Sequence, residues 1–128
     1  MSEPTYPDHL HYHEAHDWAQ ADGEDATFGI TWYAQDALGD VVFFNPPEVG
    51  SKIVAGGSYG ELESVKAVSD LIAPLDGEVV AVNDAVVESP ELVNEDPYGA
   101  WLIKVRLSST DQISGLMGAD AYRDFVGA

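Results

Sequence analysis

The chain has 128 residues, and its 45% hydrophobic content is ordinary for one globular domain with a real core. Its charge is not ordinary, because 5 Lys and Arg stand against 23 Asp and Glu and give a net charge of −18. Such a surface is expected to repel nucleic acid and anionic membranes, since both are bound through Lys and Arg.

The acidic residues are spread over the whole length of the chain and are not gathered in a tail. A net charge of this size opposes compaction through self-repulsion, and concentrated salt relieves that repulsion because the Debye length falls to roughly 3 Å at 1 M. The acidity therefore predicts a halophilic protein from a salt-rich cytoplasm. A docking surface for basic partners is the alternative, and it stays open.

The residue types that are missing limit the function as well. Cysteine is absent, so the fold has no disulfide and no thiolate metal site. No run of about 18 apolar residues suggests a membrane span, and the first seven residues lack the basic and apolar regions of a signal peptide. We expect a cytoplasmic protein in which any redox-active sulfur comes from a cofactor.

The N-terminal part holds prolines and few apolar residues, which predicts an irregular lead-in over residues 1–8. In the next segment, period-2 spacing places His9, His11 and His13 on one strand face. Three histidines on one face could bind a divalent metal, but no Asp or Glu completes a familiar ligand spacing. We therefore expect a half-buried opening strand and no metal site.

The rest of the chain is a succession of short segments separated by Gly, Pro, Asn and Asp. Alternating or β-branched residues predict strands, and helix formers closed by Gly39 predict a short helix. Ser89 and Pro90 predict the N-cap and first position of another helical turn. Many short strands with helices at the edges indicate a mostly β sandwich or barrel. Strands are predicted at 26–31, 40–45 (buried), 52–54, 78–82 and 101–107, and helices at 33–38, 89–94 and, as two short C-terminal helices, 110–126.

The stretch from Gly60 to Asp70 predicts a hairpin with Lys66 at or beside its tip. Tight hairpin turns favour Asn-Gly or Asp-Gly, because their central residues need positive φ. The centre here is Val65 and Lys66. Departures from local rules concentrate at functional or strained sites. Lys66 is therefore a candidate attachment point.

Several blocks of the chain together resemble the glycine cleavage H-protein family, from about His16 to the terminal helices. The resemblance implies a single lipoyl-carrier domain over residues 1–128, folded as a flattened barrel-sandwich hybrid of the lipoyl/biotinyl carrier type with short peripheral and C-terminal helices. The blocks are His16-Asp17-Trp18, Ala34-Gln35-Asp36-Ala37-Leu38-Gly39-Asp40, Glu63-Ser64-Val65-Lys66-Ala67, Pro74-Leu75-Asp76-Gly77-Glu78-Val79 and Asn94-Glu95-Asp96-Pro97-Tyr98.

The same resemblance implies a carrier of glycine catabolism that is not itself an enzyme. Lys66 matches the lysine that holds lipoate in amide linkage. In the family, a pyridoxal-phosphate glycine decarboxylase (P protein) loads an aminomethyl group onto the lipoyl disulfide. An aminomethyltransferase (T protein) then takes up the one-carbon unit, and dihydrolipoamide dehydrogenase (L protein) reoxidises the dithiol. We expect a monomer, because such a carrier must visit several enzymes.

The resemblance also implies roles for three acidic residues. Asp17 and Asp70 match acidic family positions near the cleft in which the loaded arm rests, where a carboxylate would stabilise a protonated amine. Glu63 is implied as a recognition residue for the lipoyl-attaching enzyme. Each of them has an alternative as an ordinary surface acid in a chain with 23 acids.

The sequence also bears on other possible functions. A biotinyl domain is disfavoured because biotin sites place Met beside the lysine, whereas Val65 and Ala67 flank Lys66 here. A lipoyl domain of another 2-oxo-acid dehydrogenase complex, or an H-like lipoyl-relay protein, stays open. An enzyme is not supported, because the sequence offers no nucleophile–base pair and Gly56-Gly57 lacks the Lys-Ser/Thr of a P-loop.

Overall fold

The computed structural model describes residues 5–127, which form short strands and short helices. No helix within this part of the chain is long and apolar enough to cross a membrane. The strands are β1 (His11–Tyr12), β2 (Asp17–Asp22), β3 (Asp25–Ile30), β4 (Val41–Asn45), β5 (Lys52–Ile53), β6 (Ser58–Ser64), β7 (Val68–Ile72), β8 (Gly77–Val82) and β9 (Ile103–Leu107). The helices are α1 (Trp32–Leu38), α2 (Asp84–Glu88), α3 (Leu92–Glu95), a 3-10 helix (Thr110–Gly115) and α4 (Ala119–Val126).

The strands form two antiparallel sheets that do not close into a barrel. The large sheet has the order β1-β2-β3-β9-β8-β5, and the small sheet has the order β4-β6-β7. The inward-facing residues of both sheets build the main core, as β9 illustrates: Ile103 and Val105 are fully buried, whereas Lys104 and Arg106 are exposed. The expected mostly β fold with peripheral helices is confirmed.

A second, smaller core joins the two ends of the described chain. Tyr6 and Tyr12 pack against Tyr122 of α4, and the rings of Tyr12 and Tyr122 stack at 4.6 Å. Trp18 lies so close to Gly29 that a Cβ on the glycine would be 2.5 Å from the indole ring. The predicted lead-in falls partly outside the described residues, at 1–4, and its Tyr6 is buried.

Two predictions about single elements are wrong. Residues 40–45 were expected to form a buried strand, but in β4 the side chains of Val42 and Phe43 are 54% and 47% exposed. The reason is that β4 is an edge strand with an irregular register between Val41 and Phe43, and a β-bulge turns side chains to new directions.

The other wrong prediction concerns Ser89 as an N-cap: the helix in this segment is α3, whose N-cap is Glu91, and Ser89 is instead the C-cap of α2. Helix α2 begins after Asn83, whose side chain accepts a hydrogen bond from the Ala85 N–H as its N-cap. Helix α2 itself is not predicted from the sequence. It is only five residues long, which is too short for a clear apolar period.

Candidate functional site

The β6–β7 hairpin carries Lys66 in the loop at its tip. The Ser64 N–H donates to the Ala67 carbonyl at 2.7 Å, which closes the loop. The Ser64 Oγ accepts hydrogen bonds from the backbone N–H groups of Lys66 (3.3 Å) and Ala67 (3.1 Å). Neither Val65 nor Lys66 has a positive φ. The tip is therefore a wider loop held by a serine side chain, and it does not need the Asn-Gly type of turn.

The turn at Gly39 and Asp40 supports this tip. A Cβ on Gly39 would lie 3.4 Å from Lys66 Cε, so the lysine side chain rests on the glycine. Gly39 has a φ of 80°, which side chains of L-residues rarely adopt. The Val65 N–H donates to the Asp40 carbonyl at 3.1 Å. One turn thus supports both the backbone of the tip and the side chain of Lys66.

Asn94 of α3 holds that turn from the other side. Its Oδ1 accepts the Val41 N–H at 2.8 Å. Its Nδ2 donates to the Gly39 carbonyl at 2.8 Å and to Gln35 Oε1 of α1 at 3.2 Å. The tip of the hairpin is therefore linked to two helices through a half-buried amide, which limits its movement.

Lys66 itself is exposed, and it makes no salt bridge with any residue in the range 5–127. Within β6, the tip and β7 it is the one Lys or Arg, beside several acidic residues. In the strand register Glu63 lies opposite Val68, and Glu61 lies opposite Asp70. The tip therefore presents a single cation in an acidic surrounding.

A cleft of about 320 Å³ begins next to Lys66 and lies between strand β7 and helix α1. Residues 67–71 line one wall, and residues of α1, including Tyr33, line the other. His16 and Asp17 also line this β7–α1 cleft. The structure therefore brings the predicted residues Asp17 and Asp70 to the same cleft, although 53 positions separate them in the sequence (70 − 17).

The two acids differ in their surroundings. Asp17 is only 2% exposed, so the alternative of an ordinary surface acid is wrong for this residue. Its Oδ2 accepts a hydrogen bond from the Tyr59 hydroxyl at 2.7 Å, and its carboxyl also accepts the Ile72 N–H. Burial raises the pKa of Asp17 well above its usual range, although both hydrogen bonds act in the opposite direction. Asp70 is exposed.

His16 lines the cleft in a strained backbone conformation, with a φ of 74°. Its N–H donates to the His13 carbonyl at 2.9 Å. Its Nδ1 lies 2.7 Å from the Tyr122 hydroxyl, which lies 2.8 Å from Thr31 Oγ1. The imidazole also packs on the Tyr33 ring at 4.5 Å. Burial lowers the pKa of His16, which favours the neutral ring.

Comparison with known proteins agrees with this architecture. A family model described as "Glycine cleavage H-protein" matches residues 10–128. The chain belongs to the glycine cleavage H-protein family. A glycine cleavage system H protein of a Synechococcus species is 53% identical over 122 residues, covering 94% of this chain and 95% of the relative. One of Bacillus cytotoxicus is 48% identical over 123 residues, covering 95% and 97%.

The fold of this family member is also that of a solved relative. A crystal structure of a glycine cleavage system H protein from Mycobacterium marinum matches with a TM-score of 0.87 and 42% identity, covering 95% of this chain and 99% of that one. The resemblance seen in the sequence and the fold class that it implied are thereby confirmed. The roles of Lys66, Glu63, Asp17 and Asp70 stay predictions.

In this chain, the strand in the histidine segment is shorter than expected. Only His11 lies in β1, and the chain turns after Tyr12. The His13 Nδ1 accepts the Ala15 N–H at 3.0 Å. Among residues 5–127 no group of three or more His, Cys, Asp or Glu side chains is arranged to hold a metal ion.

Two residues of the site were not found from the sequence of this family member. Ser64 organises the tip, and a serine two positions before Lys66 is a signal for a side-chain turn that could have been used. Tyr59 binds Asp17 from a position 42 residues away, and no local pattern indicates such a contact.

Proposed function

We propose that this member of the glycine cleavage H-protein family is the lipoyl carrier of glycine cleavage, with lipoate attached to Lys66. The observation that carries the proposal is the exposed lysine on a supported hairpin tip, directly beside a cleft. It belongs to the Glu63-Ser64-Val65-Lys66-Ala67 block that resembles the lipoylated segment of the family. A carrier role without catalysis of its own is consistent with the family.

The surroundings of Lys66 fit an amide-linked group. The lysine is exposed and forms no salt bridge within the described residues, so acylation of Nζ breaks no ion pair. Amide formation removes its positive charge. Gly39 supplies a surface without a side chain beneath the lysine methylenes. The Ser64 loop keeps the root of the side chain in place while the part beyond Nζ stays free to move.

Attached lipoate supplies a disulfide that accepts the aminomethyl group from glycine decarboxylation and is reduced in that reaction. The chain itself contains no cysteine, so no protein thiol competes with this disulfide. What the protein adds is the position of the lysine next to Ala67, which lines the β7–α1 cleft, and this cleft is large enough for a small organic group.

Asp17 and Asp70 are proposed to serve a cationic amine that enters this cleft, each in a different way. Asp70 is exposed at the cleft wall, where a carboxylate can attract the amine. Because burial raises the pKa of Asp17 and favours its neutral form, Asp17 is better suited to hold the cleft wall through Tyr59 and Ile72. Asp17 therefore offers a hydrogen-bonding group more than a charge.

The proposed partners are the P, T and L proteins and a lipoyl-attaching enzyme that recognises Glu63. These enzymes would meet the carrier in a salt-rich cytoplasm, which accounts for the −18 charge without a nucleic-acid or membrane partner.

The proposal is tested with Lys66→Arg, because arginine keeps the charge and cannot form the acyl amide. Lys52→Arg is the matched control, since Lys52 is also an exposed lysine. The measurement is glycine-dependent NADH formation by purified P, T and L proteins after treatment of each variant with a lipoate–protein ligase. We expect no activity above background for Lys66→Arg and unchanged activity for Lys52→Arg. Full activity of Lys66→Arg would overturn the proposal.

A further inference from the structure

The outer face of the small sheet combines exposed apolar side chains with acidic ones, which its position in the fold does not require. Partners in the strand register share a face, so Phe43, Glu63 and Val68 form one row across β4, β6 and β7. Asn45, Glu61 and Asp70 form the next row on the same face, two residues further from the tip. We call these two rows the tip face.

Apolar side chains concentrate around the first row. Phe43 is 47% exposed and Val68 59% exposed. The irregular register at Val41/Phe43 also exposes Val42, and Val65 projects beside Lys66. Bulges are common beside functional sites, where they redirect side chains. Large apolar groups clustered on the surface of a protein mark interaction sites more often than scattered ones do.

The acidic side chains of the tip face also lack basic neighbours within the sheet. Glu61 lies directly opposite Asp70, and like charges at such positions destabilise a sheet. The strands β4, β6 and β7 contain no Lys or Arg, and Lys66 is the one cation at the connecting tip. Apart from Lys66 itself, the charged side chains of the region are acidic and its large exposed side chains are apolar. A surface with this pattern complements an apolar depression with Lys and Arg around it.

We propose that the tip face is the docking surface for the enzyme that acylates Lys66, with Phe43 and Val68 as its apolar anchors; this rests on the proposed function. That enzyme must hold the Lys66 Nζ in its own active site, so its surface has to cover the hairpin within the length of one lysine side chain. Enzymes that meet the finished arm can reach its disulfide from further away, because the arm adds its own length to that of the lysine side chain. The complementary surface carries an apolar depression for Phe43 and Val68 and basic side chains for Glu61 and Glu63.

The test compares valines that are exposed on strands of the two sheets. Val68→Thr removes an apolar contact from the tip face, and Val80→Thr makes the same change on β8 of the large sheet. The measurement is the kinetics of lipoylation by a purified lipoate–protein ligase with lipoate and ATP, with the unmodified chain as the varied substrate. Loss of a central apolar contact corresponds to about a tenfold rise in KM. We expect this rise with unchanged kcat for Val68→Thr, and a wild-type KM for Val80→Thr.

A second pair and a conservative variant separate docking from folding. The KM of Phe43→Ala on the tip face is compared with the KM of Phe125→Ala on α4, because both rings are about half exposed. Val68→Ile keeps the apolar surface and should keep the wild-type KM. Circular dichroism melts verify that all variants are folded at the assay temperature. Equal KM values for Val68→Thr and Val80→Thr would overturn the docking surface, and so would a fall in kcat at constant KM.

The two proposals fail in different ways. If the wild-type chain is not acylated at Lys66 at all, the proposed function is wrong. If the wild-type chain is acylated and the tip-face variants keep its KM, only the docking surface is wrong. If the variants instead weaken the reaction with glycine decarboxylase while lipoylation is unchanged, the face serves another partner and the inference is likewise overturned.

Discussion

The outer faces of the two sheets differ in how their charged side chains are arranged. On the large sheet, one row across β5, β8, β9 and β3 consists of Lys52, Glu78, Arg106 and Asp25. The signs alternate along the row, and Arg106 Nε lies 3.7 Å from Asp25 Oδ1. Each of these four charges therefore has an opposite neighbour in the sheet, and the one like-charge pair of the row lies at its end, where Asp22 of β2 is opposite Asp25.

The tip face of the small sheet lacks this balance. Glu61 lies opposite Asp70, and Glu63 lies between Phe43 and Val68. A face of this kind gains more from a partner than from water, since its apolar groups are exposed and its acids have no basic neighbour in the sheet. Lys66 therefore belongs to a surface whose complement lies on another molecule.

The largest expected effect concerns a hydrogen bond that joins the sheets beneath these faces, from Tyr59 of β6 to Asp17 of β2. Tyr59→Phe removes the donor and leaves Asp17 Oδ2 buried with one partner fewer, which costs about 1–3 kcal/mol. The control is Tyr33→Phe, because the exposed Tyr33 hydroxyl has no hydrogen-bond partner within residues 5–127. Chemical denaturation at pH 7 measures both. A loss of the same size in the control would contradict the role of the buried bond.

The same pair gives a prediction for pH. Burial raises the pKa of Asp17 in the folded state, so its neutral form contributes stability that is fully present below the unfolded pKa of 3.8. This contribution is lost as the pH rises through the folded pKa. Asp17→Asn should remove that decline from the plot of unfolding free energy against pH. The difference between the wild-type and variant curves gives the contribution of Asp17 to the free energy of unfolding. A difference that does not change with pH would show that Asp17 does not titrate as its burial implies.

An intermediate effect is expected at the tip. Ser64→Ala removes the acceptor for the Lys66 and Ala67 N–H groups, which costs about 1 kcal/mol because the loop is exposed. Faster amide hydrogen exchange at these two residues is the direct measurement, together with slower lipoylation of Lys66. Ser58→Ala, at an exposed serine on the same strand, is the control. Unchanged exchange at Lys66 would show that the serine does not hold the loop.

The smallest effect tests the comparison itself, because the two faces predict opposite signs. Glu78→Gln removes the acid that lies between Lys52 and Arg106 on the large sheet and should destabilise the fold by about 0.3 kcal/mol. Asp70→Asn removes one of two like charges on the small sheet and should stabilise it by about the same amount. Denaturation at low salt measures both, and both shifts should shrink in 1 M salt. The same sign for both variants would contradict the difference between the faces.

Sequence patterns predicted the elements in which local rules decide the structure. The alternation in β9 was clear because one of its faces is fully buried, and Gly39 ended α1 as expected. Two features of the site could not be predicted in this way. The bulge that exposes Phe43 arises from the pairing of β4 with β6, and the burial of Asp17 depends on Tyr59 from another sheet. Both are contacts between segments that are far apart in the chain.

The role of Lys66 is tested most directly by peptide mass spectrometry of the protein isolated from its own cells during growth on glycine. We expect a lipoyl mass addition on Lys66 and none on the exposed Lys52 or Lys104. Absence of lipoate from Lys66 in cells that are cleaving glycine, or its presence on another lysine, would contradict the account.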